Sequence, residues 1–193
     1  MLTVIAKILL IILDAVYWIL APAALLRFYM QLLSVSFRNP IGQFVRAVTD
    51  WIILPLRRVF KGVGYDWASL IAAYLFELLY IFLGTLILVG ILPYTRPVGI
   101  AGLFISAVFG MAVTVMALMM VVLIAYIVLS WVARGQTSVS DLLEAMVRPW
   151  LRPIRRYMPL VGGIDLSPIV LSVVLQIAIV ILKSAQAAVL GLL

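Results

Sequence analysis

Four stretches of the chain are long and apolar enough to cross a hydrocarbon core of ~30 Å, which takes about 20 helical residues. They run from Ile8 to about Met30, from Trp67 to Leu92, from Ser106 to Trp131 and from Asp165 or Ser167 to Lys183. The third lies inside an uncharged run from Val98 to Ala133, and its Gly99–Gly102 start is expected outside the span. Pro22 should bend the first helix without ending it, because neighbouring helices can satisfy the freed carbonyl. Lys7, the apolar run and Ala21-Pro22-Ala23 also imitate a cleaved signal peptide. Asp14 would interrupt its apolar region, so a retained span is expected.

Two intervening segments carry a different pattern. After Asn39-Pro40, which reads as an N-cap with proline at the first helical position, Ile41, Phe44, Val45, Val48, Trp51 and Ile52 recur at helical spacing opposite Gln43, Arg46 and Asp50. This predicts a surface-lying amphipathic helix that stops near Leu54, before Pro55. In the second segment Ser140 or Asp141 can cap a helix bearing Leu142, Leu143 and Met146, which Arg148-Pro149 should end. The prolines from Pro149 to Pro159 then predict a stiff, non-helical strip of arginines.

Composition narrows the class. Of 193 residues 67% are hydrophobic and 11% charged, against roughly 45–50% and 25% in soluble domains, which identifies a membrane protein. With neither histidine nor cysteine, thiolate catalysis, imidazole acid–base chemistry and the usual zinc and haem ligand sets are excluded. No nucleophile and base stand in a recognisable arrangement, so neither an enzyme nor a cofactor is expected. The net charge of +7 points to anionic lipid headgroups, not nucleic acid, as the counter-charge. Arg38, Arg46, Arg57, Arg58 and Lys61 lie between the first two spans, and Arg134, Arg148, Arg152, Arg155 and Arg156 between the last two. By the positive-inside rule both long segments are cytoplasmic, and both termini and the Tyr94 turn face the periplasm of a bacterial inner membrane.

The chain also repeats itself. Pro55-Leu56-Arg57-Arg58 corresponds to Pro153-Ile154-Arg155-Arg156, Asp66 to Asp165, Arg27 to Tyr126 and Glu77 to Gln176. The expected architecture is all-α and integral to the membrane: two parallel-oriented helix–cytoplasmic segment–helix repeats, 1–92 and 98–193, joined by a short outer turn at 93–97. Two spans per unit give both copies the same orientation.

Arg148-Pro149-Trp150-Leu151-Arg152-Pro153-Ile154-Arg155-Arg156, followed by Pro159 and Gly162-Gly163-Ile164-Asp165-Leu166-Ser167-Pro168, resembles the signature of the YggT family. Asn39-Pro40, Pro55-Leu56-Arg57-Arg58 and Asp66 echo it in the first half. Copy one has Trp67-Ala68-Ser69 where copy two has Leu166-Ser167-Pro168, and copy two lacks the Asn-Pro. The resemblance implies a small multi-pass inner-membrane protein, with plastid relatives, linked to osmotic stress, cell division and assembly of a membrane cytochrome complex. It carries over no catalytic residues.

Several polar side chains fall inside the spans. An ionised Glu77 near the midplane would cost about 2.5–3.5 kcal/mol, so it should be protonated or paired, with Gln176 as its neutral equivalent. Arg27 and Asp14 are ~20 Å apart along one helix and cannot meet. Arg27 is expected to snorkel or to meet Glu77 or Asp66. Asp66 and Asp165 can cap the spans they precede, pair with arginine, or both. Arg57, Arg58, Arg152, Arg155 and Arg156 are candidates for contact with lipid headgroups or an acidic partner. Two functions follow: a scaffold that recruits a membrane or envelope protein through this basic face, or a channel or transporter for ions or osmolytes, which with four spans per copy would require a homo-oligomer.

Overall fold

The computed structural model describes residues 2–60, 65–91, 99–132, 137–158 and 165–192. It is all-helical there: α1 (Leu2–Leu32), α2 (Pro40–Val59), α3 (Trp67–Ile91), α4 (Ile100–Val132), α5 (Ser138–Arg155) and α6 (Ser167–Leu190). Helices α1, α3, α4 and α6 are the four membrane spans by length and hydropathy. The turn at 93–97 with Tyr94 and Arg96, together with Lys61, Arg134, Pro159 and Gly162-Gly163-Ile164, lies outside the described residues.

α1 packs chiefly against α3, and α4 against α6; α2 lies against the first pair and α5 against the second. Small side chains bring α1 and α3 together: Ala21 and Ala24 face Ala68, Ala72 and Ala73, all fully buried, with Leu25, Ile53 and Phe76 around them. Apolar association gains little inside lipid, so such small-residue seams, which maximise close van der Waals contact, carry the packing. The second cluster joins Met119, Val122 and Leu123 of α4 to Leu142, Met146, Val147 and Leu151 of α5 and Leu171 and Leu175 of α6, and includes Met30 at the end of α1. At that same end the Tyr29 hydroxyl donates to the Met146 carbonyl (2.7 Å) and accepts from Trp150 Nε1 (2.9 Å). Both short helices therefore sit at one end of the four-span bundle.

Local chemistry fixes how each short helix starts. α1 ends with Ser34 in the left-handed region (φ 54°), Ser34 N–H bonding Gln31 O and Val35 N–H bonding Met30 O, which reverses the chain. Asn39 caps α2, its Oδ1 accepting from Gly42 N–H (2.7 Å), with Pro40 in the first turn. Gly42 is obligatory there, because a Cβ would stand 2.7 Å from Phe37 Cα. The buried stripe Gly42, Val45, Thr49, Ile53 seats the helix.

Several boundaries differ from those read in the sequence. α2 runs through Pro55 to Val59, and α5 runs through Pro149 and Pro153 to Arg155, so the arginine strip is helical. Each proline removes one backbone bond, but all three prolines are exposed, and burial of the apolar stripes of α2 and α5 outweighs the local cost. α5 starts earlier than Ser140, because Thr137 is the cap: its Oγ1 accepts from Ser140 N–H (3.1 Å), and Ser140 Oγ accepts from Thr137 N–H (2.8 Å). α4 already begins at Ile100, and α6 continues past Lys183.

Candidate functional site

The polar side chains assemble into three groups at different depths. The outermost lies at the junctions of the short helices with the spans that follow them. Arg57 on α2 grips Asp66 with two parallel bonds, Nε to Oδ1 (3.1 Å) and Nη2 to Oδ2 (2.7 Å). Ser69 donates a short bond to the same carboxylate. With its amide oxygen toward Arg57 Nη2 (2.6 Å) and its nitrogen toward Asp66 Oδ2 (2.7 Å), Gln31 ties the end of α1 into the same knot. In the second half Arg155 Nε and Nη2 both reach Asp165 Oδ2 (2.8 Å each), while Asp165 Oδ1 accepts from Ser167 N–H (2.9 Å) at the start of α6. Each aspartate thus bonds an arginine and a group at the start of the span it precedes.

Burial pushes the Asp66 carboxyl up, but bonds from Arg57 and Ser69 and the charges of Arg57 and Arg27 outweigh it and hold it below the ordinary carboxylate range. Asp165 is likewise raised by burial and lowered further by Ser167 and Arg155. A carboxylate with a depressed folded-state pKa contributes stability that is complete above its unfolded value and lost as pH falls through the folded one. Thermal stability in detergent should therefore decline below roughly pH 4. Asp66→Asn should cost about 1.5–3 kcal/mol at neutral pH and flatten that decline. Asp165→Asn should do less, because its side chain is 31% exposed against 6% for Asp66. A pH slope unchanged in Asp66→Asn would refute the linkage.

Deeper, Arg27 is only 3% exposed. Its Nη1 donates to Asp50 Oδ1 (2.6 Å) and Thr49 Oγ1 (2.8 Å), and Thr49 in turn donates to the Val45 carbonyl (2.6 Å). The expectation that Arg27 would snorkel or meet Glu77 or Asp66 is corrected here: its ion-pair partner is Asp50, on the short helix. Arg27 reaches Asp66 only as a neighbouring charge.

The third group is within the spans. Glu77 is 4% exposed; Oε2 accepts from the Tyr17 hydroxyl (2.6 Å) and, more weakly, from Thr114 (3.4 Å), and the two hydroxyls bond each other (2.5 Å). Tyr17 stacks on Tyr80 at 4.1 Å between centroids, and Tyr80 donates to Asp14 Oδ1 (2.9 Å). The polar chain Asp14–Tyr80–Tyr17–Glu77–Thr114 therefore links α1, α3 and α4. Glu77 also lies directly on Gly110 of α4. Gln176 is exposed on the outer side of α6, so it shares no environment with Glu77.

Sequence reasoning missed Gln31, Asp50 and Thr49 as partners, and Tyr17, Tyr80 and Thr114 as the company of Glu77. A signal existed for Thr114, which continues the four-residue spacing of Gly102, Ser106 and Gly110, a set that marks a face of close helix contact. Among the described residues no group of three or more acidic side chains could hold a metal ion. The other arginines expected to contact headgroups or a partner, Arg58, Arg152 and Arg156, are exposed at the end of the bundle where α2 and α5 lie.

Four apolar spans with two amphipathic helices at one end define a polytopic helical membrane protein. The CCB3/YggT family model matches residues 2–87 and 105–186, and the chain belongs to that family. It is 38% identical over 154 residues to the uncharacterised protein YggT of Escherichia coli K12, covering 79% of this chain and 77% of that one. An uncharacterised Vibrio alginolyticus protein, described by its position in the proC 3' region, is 32% identical over 158 residues (80% and 82%). Another, from Pseudomonas aeruginosa, is 32% identical over 170 residues (87% and 84%). No solved structure matches the chain.

Proposed function

We propose that this protein is a non-enzymatic scaffold or assembly factor of the bacterial inner membrane, built from two like-oriented copies of one span–amphipathic helix–span unit. The short helices lie in the cytoplasmic interface, both termini are periplasmic, and the exposed guanidiniums recruit an acidic membrane or envelope protein. The supporting observation is the pair of matched latches, Arg57–Asp66 and Arg155–Asp165, at one end of the bundle. Each fixes a short helix to the start of the next span and leaves the adjacent arginine, Arg58 or Arg156, exposed. The latches fix the backbone that carries Arg58 and Arg156, so docking has to order only their side chains, which favours specific recognition over diffuse attraction. A role in osmotic stress or cell division follows from the family resemblance and would operate through such a partner.

Arg58→Gln with Arg156→Gln tests this, since neither residue serves a latch. Crosslinking in native membranes should lose about tenfold of partner recovery, as expected for a charged interface, with insertion unchanged. Identical crosslinked partners in wild type and variant would sink the docking reading. An oligomeric channel or transporter for ions or osmolytes is less well supported. Arg27 and Glu77 are each paired inside the bundle and Gln176 faces outward, so the three line no common path within one copy.

A further inference from the structure

The two halves differ where their arginines gather. On the register that aligns Arg57-Arg58 with Arg155-Arg156, Asp50 falls opposite Arg148 and Leu54 opposite Arg152. The first half closes its buried cation internally, through Arg27 and Asp50. The second half has Tyr126 in place of Arg27 and a cation in place of Asp50. Its α5 therefore presents Arg148, Arg152, Arg155 and, at the C-cap, Arg156, all exposed, of which Arg155 alone has a carboxylate partner among the described residues.

These four arginines and Pro149 line a cavity of about 640 Å³. Arg155 also lines a second cavity of about 360 Å³ at the ends of α4 and α6, whose walls include Tyr126, Ile127, Trp131, Pro168 and Ile169. One cavity is cationic and forked for oxyanions, and the other is largely apolar and opens beside the lipid-facing ends of two spans. Guanidiniums spaced along a helix suit phosphate oxygens, and a greasy seam beside them suits an acyl chain. A soluble anion would need only the first.

We propose that the two cavities, which share Arg155 in their walls, together form a seat for an anionic glycerophospholipid, its headgroup phosphate among Arg148, Arg152 and Arg156 and its first acyl carbons against Ile127 and Ile169. This goes beyond the docking reading and stands without it, since the test uses purified protein and no partner. The full chain in neutral detergent is titrated with phosphatidylglycerol, phosphatidylcholine or inorganic phosphate, and bound lipid is counted by native mass spectrometry.

Phosphatidylglycerol should be retained in preference to phosphatidylcholine. Arg148→Gln with Arg152→Gln should weaken it about 30-fold, the equivalent of two cation–lipid contacts at about 1 kcal/mol each. The control Arg46→Gln with Arg58→Gln, two exposed α2 cations, should change it by less than about threefold, the scale of residual diffuse attraction. Ile127→Trp should fill the apolar seam and weaken the lipid while leaving phosphate binding unchanged; should that variant fail to fold, the surface arginine pair still decides. Equal loss in both arginine pairs, no loss in the α5 pair, or phosphate binding as tight as the lipid's would each overturn the proposal.

Discussion

Asp50→Ala is expected to destabilise the protein by about 3 kcal/mol, the low end of the cost of stranding one member of a buried ion pair. The low end applies because the Asp50 side chain is 41% exposed, while that of Arg27 is 4% exposed and bears the consequence. Without the carboxylate, the guanidinium keeps Thr49 as its hydrogen-bond partner, and its Nε already has none among the described residues. A cation left in that position cannot be rehydrated cheaply, because its side chain is almost wholly shut off from the surroundings of the bundle. Removing both charges, with Arg27→Met and Asp50→Ala together, should recover most of the loss and come within ~1 kcal/mol of wild type, since apolar replacement of a buried pair is often neutral. Thr49 stays satisfied in that variant through the Val45 carbonyl. Thermal unfolding in detergent reads both quantities, and a double variant as unstable as Asp50→Ala would exclude the stranded-charge mechanism.

The same pair shows where the sequence stops being readable. The spans, the two amphipathic helices and the aspartates before α3 and α6 are visible as hydropathy, spacing and residue type, all local properties. Asp50 was placed with Gln43 and Arg46 on the polar side of α2, which describes the helix alone. Its role arises because the next residue on the stripe, Thr49, faces α1 where Arg27 emerges, and no periodicity along one helix reports what the neighbouring helix carries. The prolines failed in the opposite direction. Pro55, Pro149 and Pro153 carry a strong local signal to stop, but a breaker weighs one lost backbone bond against a whole buried stripe, and only packing decides that contest. Glu77 and Gln176 illustrate a third limit. They occupy equivalent places in sequence, but α3 packs against two other spans, α1 and α4, whereas α6 packs against one span, α4, and the short α5, so one is enclosed and the other is exposed.

That enclosure leads to the second large effect. Gly110→Val should cost roughly 2–5 kcal/mol, adding about 1–3 for overpacking to about 0.6–2 for interhelical hydrogen bonds broken in lipid. A Cβ at Gly110 would stand 2.7 Å from Glu77 Cδ and closer still to Oε1. A long side chain can normally swing aside, but this carboxylate is pinned by Tyr17 and Thr114 and is almost wholly buried. Moving it means breaking those bonds; keeping it means separating α3 from α4. Truncating the glutamate removes the conflict, so Glu77→Ala in the Gly110→Val background should restore stability although Glu77→Ala alone reduces it by ~1 kcal/mol. Glu77→Gln keeps an acceptor for Tyr17 and should cost less than Glu77→Ala while leaving the Gly110→Val defect in place. The reversal of sign between backgrounds is the decisive measurement, because a glutamate acting only as a distant charge would give additive losses in both.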